Sequence, residues 1–288
     1  SLRKLGAYCG EQDEHEPLLT VRETFEFVYA AGVAPPAAAL AEAWARLRSW
    51  GAVDAEDRPT PHGRAMAQLP LPPRLAHMLL KAAEAGAADM AAQAAVLLSE
   101  RGLGGNDADL EQRLTRWQRE NGPRAEAARG LARRWAKQAQ RLVTSAGGLN
   151  ELSLDSILAL GFPDRVAKRR DAKGENWISV GGRGFRLDPS SPLARADWLA
   201  VADIQGAASG ARILSAVPTD QGRMEALFAD QIQQGARLDF DPSTGSVRAE
   251  SGRHLGAITL SKGQDSKVSS NDISAALVNG VRTHGLDV

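Results

Sequence analysis

Four cationic side chains, Arg129, Arg133, Lys137 and Arg141, recur at every fourth residue between Pro123 and Val143. On an α-helix this spacing sets them along one face, with Ala128, Leu131, Trp135 and Leu142 roughly opposite. Like charges so spaced repel by about 0.2–0.5 kcal/mol per pair, so three consecutive pairs call for an anionic partner or for repulsion tolerated in solvent. Phosphate binding is one reading of the row. A solvated face, or ion pairs with an acidic amino-terminal stretch (Glu11, Asp13, Glu14, Glu16, Glu23, Glu26), is the other. A second group, Arg165, Lys168, Arg169 and Arg170 with Lys173, Arg183 and Arg186 beyond, marks the passage from helical to β-type sequence. Lysine and arginine release condensed counterions from a phosphate backbone, giving affinity that ignores sequence and falls steeply with salt. The structural alternative is that Arg165 pairs with Asp164 or Asp171 within a turn. The candidate nucleic-acid-binding residues are thus Arg129, Arg133, Lys137, Arg141, Arg165, Lys168, Arg169, Arg170, Arg183 and Arg186.

Other constellations offer less chemistry. Trp177 and Phe185 flank the turn Val180-Gly181-Gly182-Arg183-Gly184, where exposed aromatics could stack bases at roughly 1–3 kcal/mol each, although strand aromatics more commonly form core. Trp44 and Trp198 are expected as buried anchors. The run Arg101-Gly102-Leu103-Gly104-Gly105-Asn106 follows a helix and lacks the Lys-Ser/Thr ending of a phosphate loop, so a helix stop is expected there. His15, His62, His77, His254 and His284 are scattered, and neither a zinc site nor a Ser-His-Asp arrangement follows from their spacing. No catalytic residue and no metal ligand is assigned. The single cysteine, Cys9, excludes an internal disulfide and reads as an inert thiol.

The elements that must position these residues change in type along the chain. Its 288 residues suit two or three domains, and apolar and charged fractions of 43% and 24% are ordinary for globular protein. No apolar run approaches the roughly 20 residues of a membrane span, and the amino terminus carries no secretory h-region, so a cytoplasmic protein without membrane contact is expected. Lys plus Arg and Asp plus Glu balance at 35 each, which leaves only the segregation of charge as a hint of partner. The first 150 residues read as helical: Pro35–Gly51, then Ala52-Val53-Asp54 and a turn, Thr60-Pro61 opening another helix, then Arg74–Glu84, Asp89–Glu100, Asp107–Glu120 and Pro123–Val143. Helix, short wing, helix is a winged-helix pattern. A domain boundary is expected at Gly147–Leu152. Beyond Leu160, strands are expected at Trp177–Val180, Trp198–Ile204, Arg212–Ala216, the hairpin Arg237–Phe240 with Ser246–Ala249, and Ala257–Leu260. Five short strands with one inserted helix, Gln221–Ala229, predict a small barrel of the oligonucleotide-binding (OB) type, and a last helix is expected at Asn271–Thr283.

Three stretches in order resemble the region that follows the motors of DExH-box helicases: Leu47-Arg48-Ser49-Trp50-Gly51-Ala52-Val53-Asp54, Thr60-Pro61-His62-Gly63-Arg64-Ala65-Met66-Ala67, and Leu69-Pro70-Leu71-Pro72-Pro73-Arg74 running on to Leu80. Ala94–Arg101, Asp107–Leu114, Gly161–Arg170 and Asn279–Leu286 narrow the resemblance to the HrpB type, over about Pro35 to Val288. It implies a multidomain chain, α then α+β: a winged helix (1–72), a helical ratchet bundle (73–150), an OB-like β-barrel (151–262) and the start of a carboxy-terminal region (263–288). It also implies single-stranded RNA or DNA and the RecA-like motor domains of the same parent as partners. ATP and magnesium are implied for that parent, but no Gly-x-x-x-x-Gly-Lys-Ser/Thr loop and no Asp-Glu-x-His motif is present, so no cofactor is assigned to this chain. Both ends are expected to be cut from a longer protein. A protein-interaction scaffold, its basic row meeting an acidic partner surface, is the competing function.

Overall fold

The structure is a computed structural model and describes residues 37–100, 102–143, 152–206, 210–241, 246–262 and 270–284. The acidic stretch Glu11–Glu26, Cys9, His15, Arg101 and most of the expected boundary at Gly147–Leu152 lie outside the described residues. Two compact units emerge. One holds the described residues up to Asn106 together with Gln112–Gly161; the other holds Asp107–Glu111 and the described residues from Phe162 onwards.

The first unit is helical. Helix α1 (Ala37–Ser49) ends with Arg46 and Arg48 in its last turn, where cations favour the negative helix end, and the chain then reverses at Gly51. A single bridge, Val53 to Pro59, closes a short turn. Thr60 then caps α2 (Pro61–Ala67), its hydroxyl accepting from the Gly63 amide at 3.0 Å, with Pro61 supplying the fixed φ of a first turn. Pro73 starts α3 (Pro73–Glu84), followed by α4 (Ala88–Ser99), α5 (Leu110–Arg119), α6 (Pro123–Leu142) and α7 (Leu154–Gly161). Alanines line the inner faces of α4 (Ala88, Ala91, Ala92, Ala94, Ala95) and α6 (Ala125, Ala128, Ala132, Ala136, Ala139), so these two helices can pack closely. Met78, Leu79, Leu80, Leu97, Trp117, Ile157 and Leu158 are fully buried. Trp50 is the buried tryptophan of the first segment, whereas Trp44 is only half-buried.

Helix α7 was not anticipated from sequence. It packs on α3, and the Gly161 carbonyl accepts from Arg74 at 3.2 Å, which keeps it with the helices.

In the second unit, β1 (Val166–Arg169), β2 (Asn176–Ser179), β3 (Gly184–Arg186), β4 (Trp198–Gln205) and β5 (Ala211–Thr219) close a barrel in the order β1-β2-β3-β5-β4. Neighbours are antiparallel except β3 and β5, which run parallel. Ala167, Trp177, Phe185, Leu199, Val201, Ala211 and Ile213 are packed in its core. The strip Asp107–Glu111 lies beside β5, the Ala216 amide donating to the Ala108 carbonyl at 2.8 Å.

The expected barrel drew on the hairpin after residue 230 and enclosed a helix. The structure corrects both points. The barrel is complete at Thr219, because β1 and β3 supply strands that sequence reading did not assign. Helix α8 (Gln221–Leu227) follows it, capped by Asp220. The hairpin strands β6 (Ile232–Asp241) and β7 (Ser246–Leu255) join β8 (Ile258–Lys262) in a separate three-stranded antiparallel sheet, on which α9 (Ser270–His284) packs.

Candidate nucleic-acid interface

Helix α6 carries the cationic row, and its inner face fixes which way that row points. Ala125, Ala128, Ala132, Trp135, Ala136 and Ala139 are buried, and Gln138 donates to the Gln68 carbonyl at 2.6 Å, so α6 cannot roll. Arg133, Lys137 and Arg141 are exposed, successive members separated by about 6 Å of rise and about 40° of rotation. Among the described residues none of the three has a hydrogen-bonded or ionic partner. Arg134, exposed and likewise unpartnered, extends this face; sequence reading passed over it because it falls out of the four-residue register.

Arg129 differs. Half-buried, it donates from Nη1 to the carbonyls of Trp117 at 3.0 Å and Glu120 at 2.9 Å at the end of α5, where the Trp117 oxygen also accepts from the Glu120 amide at 3.1 Å. It holds two helices together rather than facing solvent.

The second cluster divides in the same manner. Arg165 donates to the Ala202 carbonyl at 2.5 Å and lies 5.1 Å from the centre of the Phe162 ring. Lys168 donates to the Thr259 carbonyl at 2.9 Å and sits 5.5 Å from the Trp198 ring centre, tying barrel to sheet. Arg169 pairs with Asp197 at 2.6 Å and reaches the Ala194 carbonyl at 3.3 Å. Arg186 pairs with Glu175 at 2.8 Å. Arg170 and Arg183 are exposed and, among the described residues, have no side-chain partner. Asp171, weighed as a partner for Arg165, instead accepts from the Asn176 side chain and from the Asn176 and Glu175 amides; desolvation would raise its carboxyl, and these hydrogen bonds together hold it below the usual range.

The stacking reading of the barrel aromatics is overturned by burial. Trp177 and Phe185 are each 1% exposed, and the Trp177 indole donates to the Gly174 carbonyl at 2.8 Å. Trp198 is buried as expected. In the glycine-rich run after α4, the Gly104 amide donates to the Glu120 carboxylate at 3.3 Å. Among the described residues no three His, Cys, Asp or Glu side chains are arranged to hold a metal ion, and no helix is long and apolar enough to cross a membrane.

One pairing escaped sequence reading altogether. His62 Nε2 and His77 Nδ1 are 2.9 Å apart, and His77 stacks on Trp50 with ring centres 5.4 Å apart. Burial, then His62 and Lys81, push His77 down to about 3; burial and Lys81 also lower His62. Both rings are therefore neutral at pH 7. Fifteen residues of separation leave no spacing signal that could have revealed them.

No family model matches the chain. Over 260 residues it is 32% identical to the ATP-dependent RNA helicase HrpB of Escherichia coli (strain K12), an alignment that takes in 88% of this chain and 30% of that protein. The chain is homologous to one region of HrpB. Two crystal structures agree: the E. coli DExH-box NTPase HrpB, at TM-score 0.64 and 30% identity, and the E. coli DEAH/RHA helicase HrpB, at 0.63 and 27%. Each match covers 88% of this chain and 30% of the solved one. The homology supports a helicase accessory region, with the helices and barrel described above as its framework.

Proposed function

We propose that this chain is the nucleic-acid-gripping accessory region of an HrpB-type helicase, holding single-stranded RNA or DNA while RecA-like motor domains of the same parent translocate. The observation that carries the reading is the exposed row Arg133, Lys137 and Arg141, unpartnered among the described residues, on a helix locked by its opposite face, in a chain homologous to HrpB. Contacts of this kind neutralise phosphates without reading bases, which suits a protein that must slide. Arg170 and Arg183 extend the phosphate contacts to the barrel. Arg129, Arg165, Lys168, Arg169 and Arg186 act first as scaffold, since backbone carbonyls and carboxylates already hold them.

Finer architecture belongs to the same proposal. The barrel order β1-β2-β3-β5-β4 supports an OB-type barrel, α1 with the Val53–Pro59 bridge and α2 supports a winged helix, and α3 to α6 support a ratchet bundle. ATP and magnesium belong to the parent's motors; this chain supplies no phosphate loop for them. The test is binding of a labelled 12-mer RNA at 50 and 200 mM salt, where affinity is expected at low salt and a marked loss at high salt. Absent or salt-insensitive binding at 50 mM would overturn the proposal. Capture of a protein partner abolished by Arg133→Glu and Lys137→Glu, with RNA binding unchanged, would replace it with a docking role.

A further inference from the structure

We propose that the outer edge of β6 is a self-association surface, on which two copies of the chain pair their β6 strands antiparallel about a two-fold axis at Leu238. The inference stands apart from the gripping function and uses none of its cations.

A strand edge presents a row of amides and carbonyls that another extended backbone answers, so proteins shorten, bulge or charge their edges to keep them single. The closed barrel has no such edge. In the sheet β6-β7-β8, strand β8 is guarded: it has five residues, ends at Lys262, and pairs with β7 through a register break between Arg253 and His254. Strand β6 carries none of these devices. It runs for ten residues, Ile-Gln-Gln-Gly-Ala-Arg-Leu-Asp-Phe-Asp, without lysine or proline, and its pairs with β7 follow one unbroken register. Among the described residues no strand pairs with its outer edge. Helix α9 packs on both β6 and β7, with Gly280 against the Phe240 ring, so it covers a face of the sheet and leaves the edge open to a partner strand.

The sequence of β6 is complementary to itself. Outward hydrogen-bonding groups alternate along a strand, so two identical antiparallel strands meet about an axis that passes through a residue. With the axis at Leu238, Arg237 stands opposite Asp239 of the second copy, and symmetry repeats the pair; Phe240 stands opposite Ala236 and Asp241 opposite Gly235. An axis at Arg237 or at Asp239 would instead set like charges opposite each other, which destabilises a cross-strand pair. Within one copy Arg237 is in register with Glu250 and Asp239 with Arg248. Across the four strands of the joined sheets, the row Glu250, Arg237, Asp239, Arg248 therefore alternates in sign. Asp239 and Asp241 outweigh the single Arg237, so the strand does not suit a phosphate backbone, and a polypeptide copy is the partner that its charge fits.

The experiment swaps charge across the axis. Sedimentation equilibrium at low salt compares the unaltered full chain, its Arg237→Asp variant, its Asp239→Arg variant and an equimolar mixture of the two, each checked for fold by circular dichroism. The unaltered chain is expected to move from monomer towards dimer mass as concentration rises. Each variant alone sets two like-charged pairs beside the axis and should associate about tenfold more weakly. In the mixture every such position again meets its opposite charge, so heterodimers should restore the association. Hydrogen exchange on the unaltered chain gives a second reading: β6 amides should exchange more slowly in concentrated than in dilute solution. A chain that stays monomeric with concentration-independent exchange would overturn the inference, as would single variants that associate like the unaltered chain or a mixture that fails to rescue them. RNA binding is read separately, so none of these outcomes bears on the gripping function.

Discussion

Arg129 and Arg133 stand one turn apart on the same helix, and their surroundings give them different roles. Replacing Arg129 with alanine removes two charge-assisted hydrogen bonds that tie α6 to the end of α5 at the Trp117 and Glu120 carbonyls. A loss of about 1–3 kcal/mol of stability is expected, read as a lower urea midpoint. Arg133→Ala removes no internal contact and should stay within about 0.5 kcal/mol. Sequence periodicity placed both in one row, and it could not separate them because it records direction around the helix and not what lies beyond the side chain. The paired histidines follow the same logic. His77 is held neutral when folded but titrates near 6.5 when unfolded, so the unfolded chain binds the proton first. Stability conferred by the neutral ring is complete above pH 6.5 and declines as pH falls towards about 3, by up to about 1.4 kcal/mol per pH unit for one site. Thermal melts at pH 7.5 and 4.5 should show the decline, and His77→Phe, which keeps a ring against Trp50, should make it shallower. An unchanged pH dependence in that variant would mean other groups set it.

Among the elements, helices with strong apolar periodicity and proline or glycine boundaries were legible: α3, α4 and α6 lie within a residue or so of the expected spans. What escaped were α7 and the two short strands that complete the barrel. Strand β1 reads Val-Ala-Lys-Arg and β3 reads Gly-Phe-Arg; each is too short and too cationic to alternate visibly, and each becomes a strand through its barrel neighbours. The Arg165–Arg170 run therefore looked like a free basic patch when half of it was a strand with its cations anchored to carbonyls. Gly174 offers a test at this scale. Its φ of +70° and its contact with Ala194 both exclude a β-carbon, so Gly174→Ala should destabilise the barrel unit by more than about 2 kcal/mol. Hydrogen exchange should quicken in β1 and β2 first. Wild-type exchange in that variant would show that the turns holding Gly174 and Ala194 are not locked together.

At the scale of the molecule, the chain spans 30% of the length of its HrpB relative, and the cations on which the gripping proposal rests, exposed and unpartnered among the described residues, sit on α6 and on the barrel. The resemblance to HrpB was legible because local motifs survive in sequence order; the division of cations into scaffold and surface was not, because it depends on carbonyls distant in sequence. The most direct test of the gripping account is the salt dependence of single-strand binding by the unaltered chain and by the Arg133→Ala/Lys137→Ala/Arg141→Ala variant. Loss of those three charges should weaken binding at 50 mM salt and lower the slope of log K against log salt by about 2, with no change in thermal midpoint. Equal affinity and equal slope in the two proteins would contradict the account.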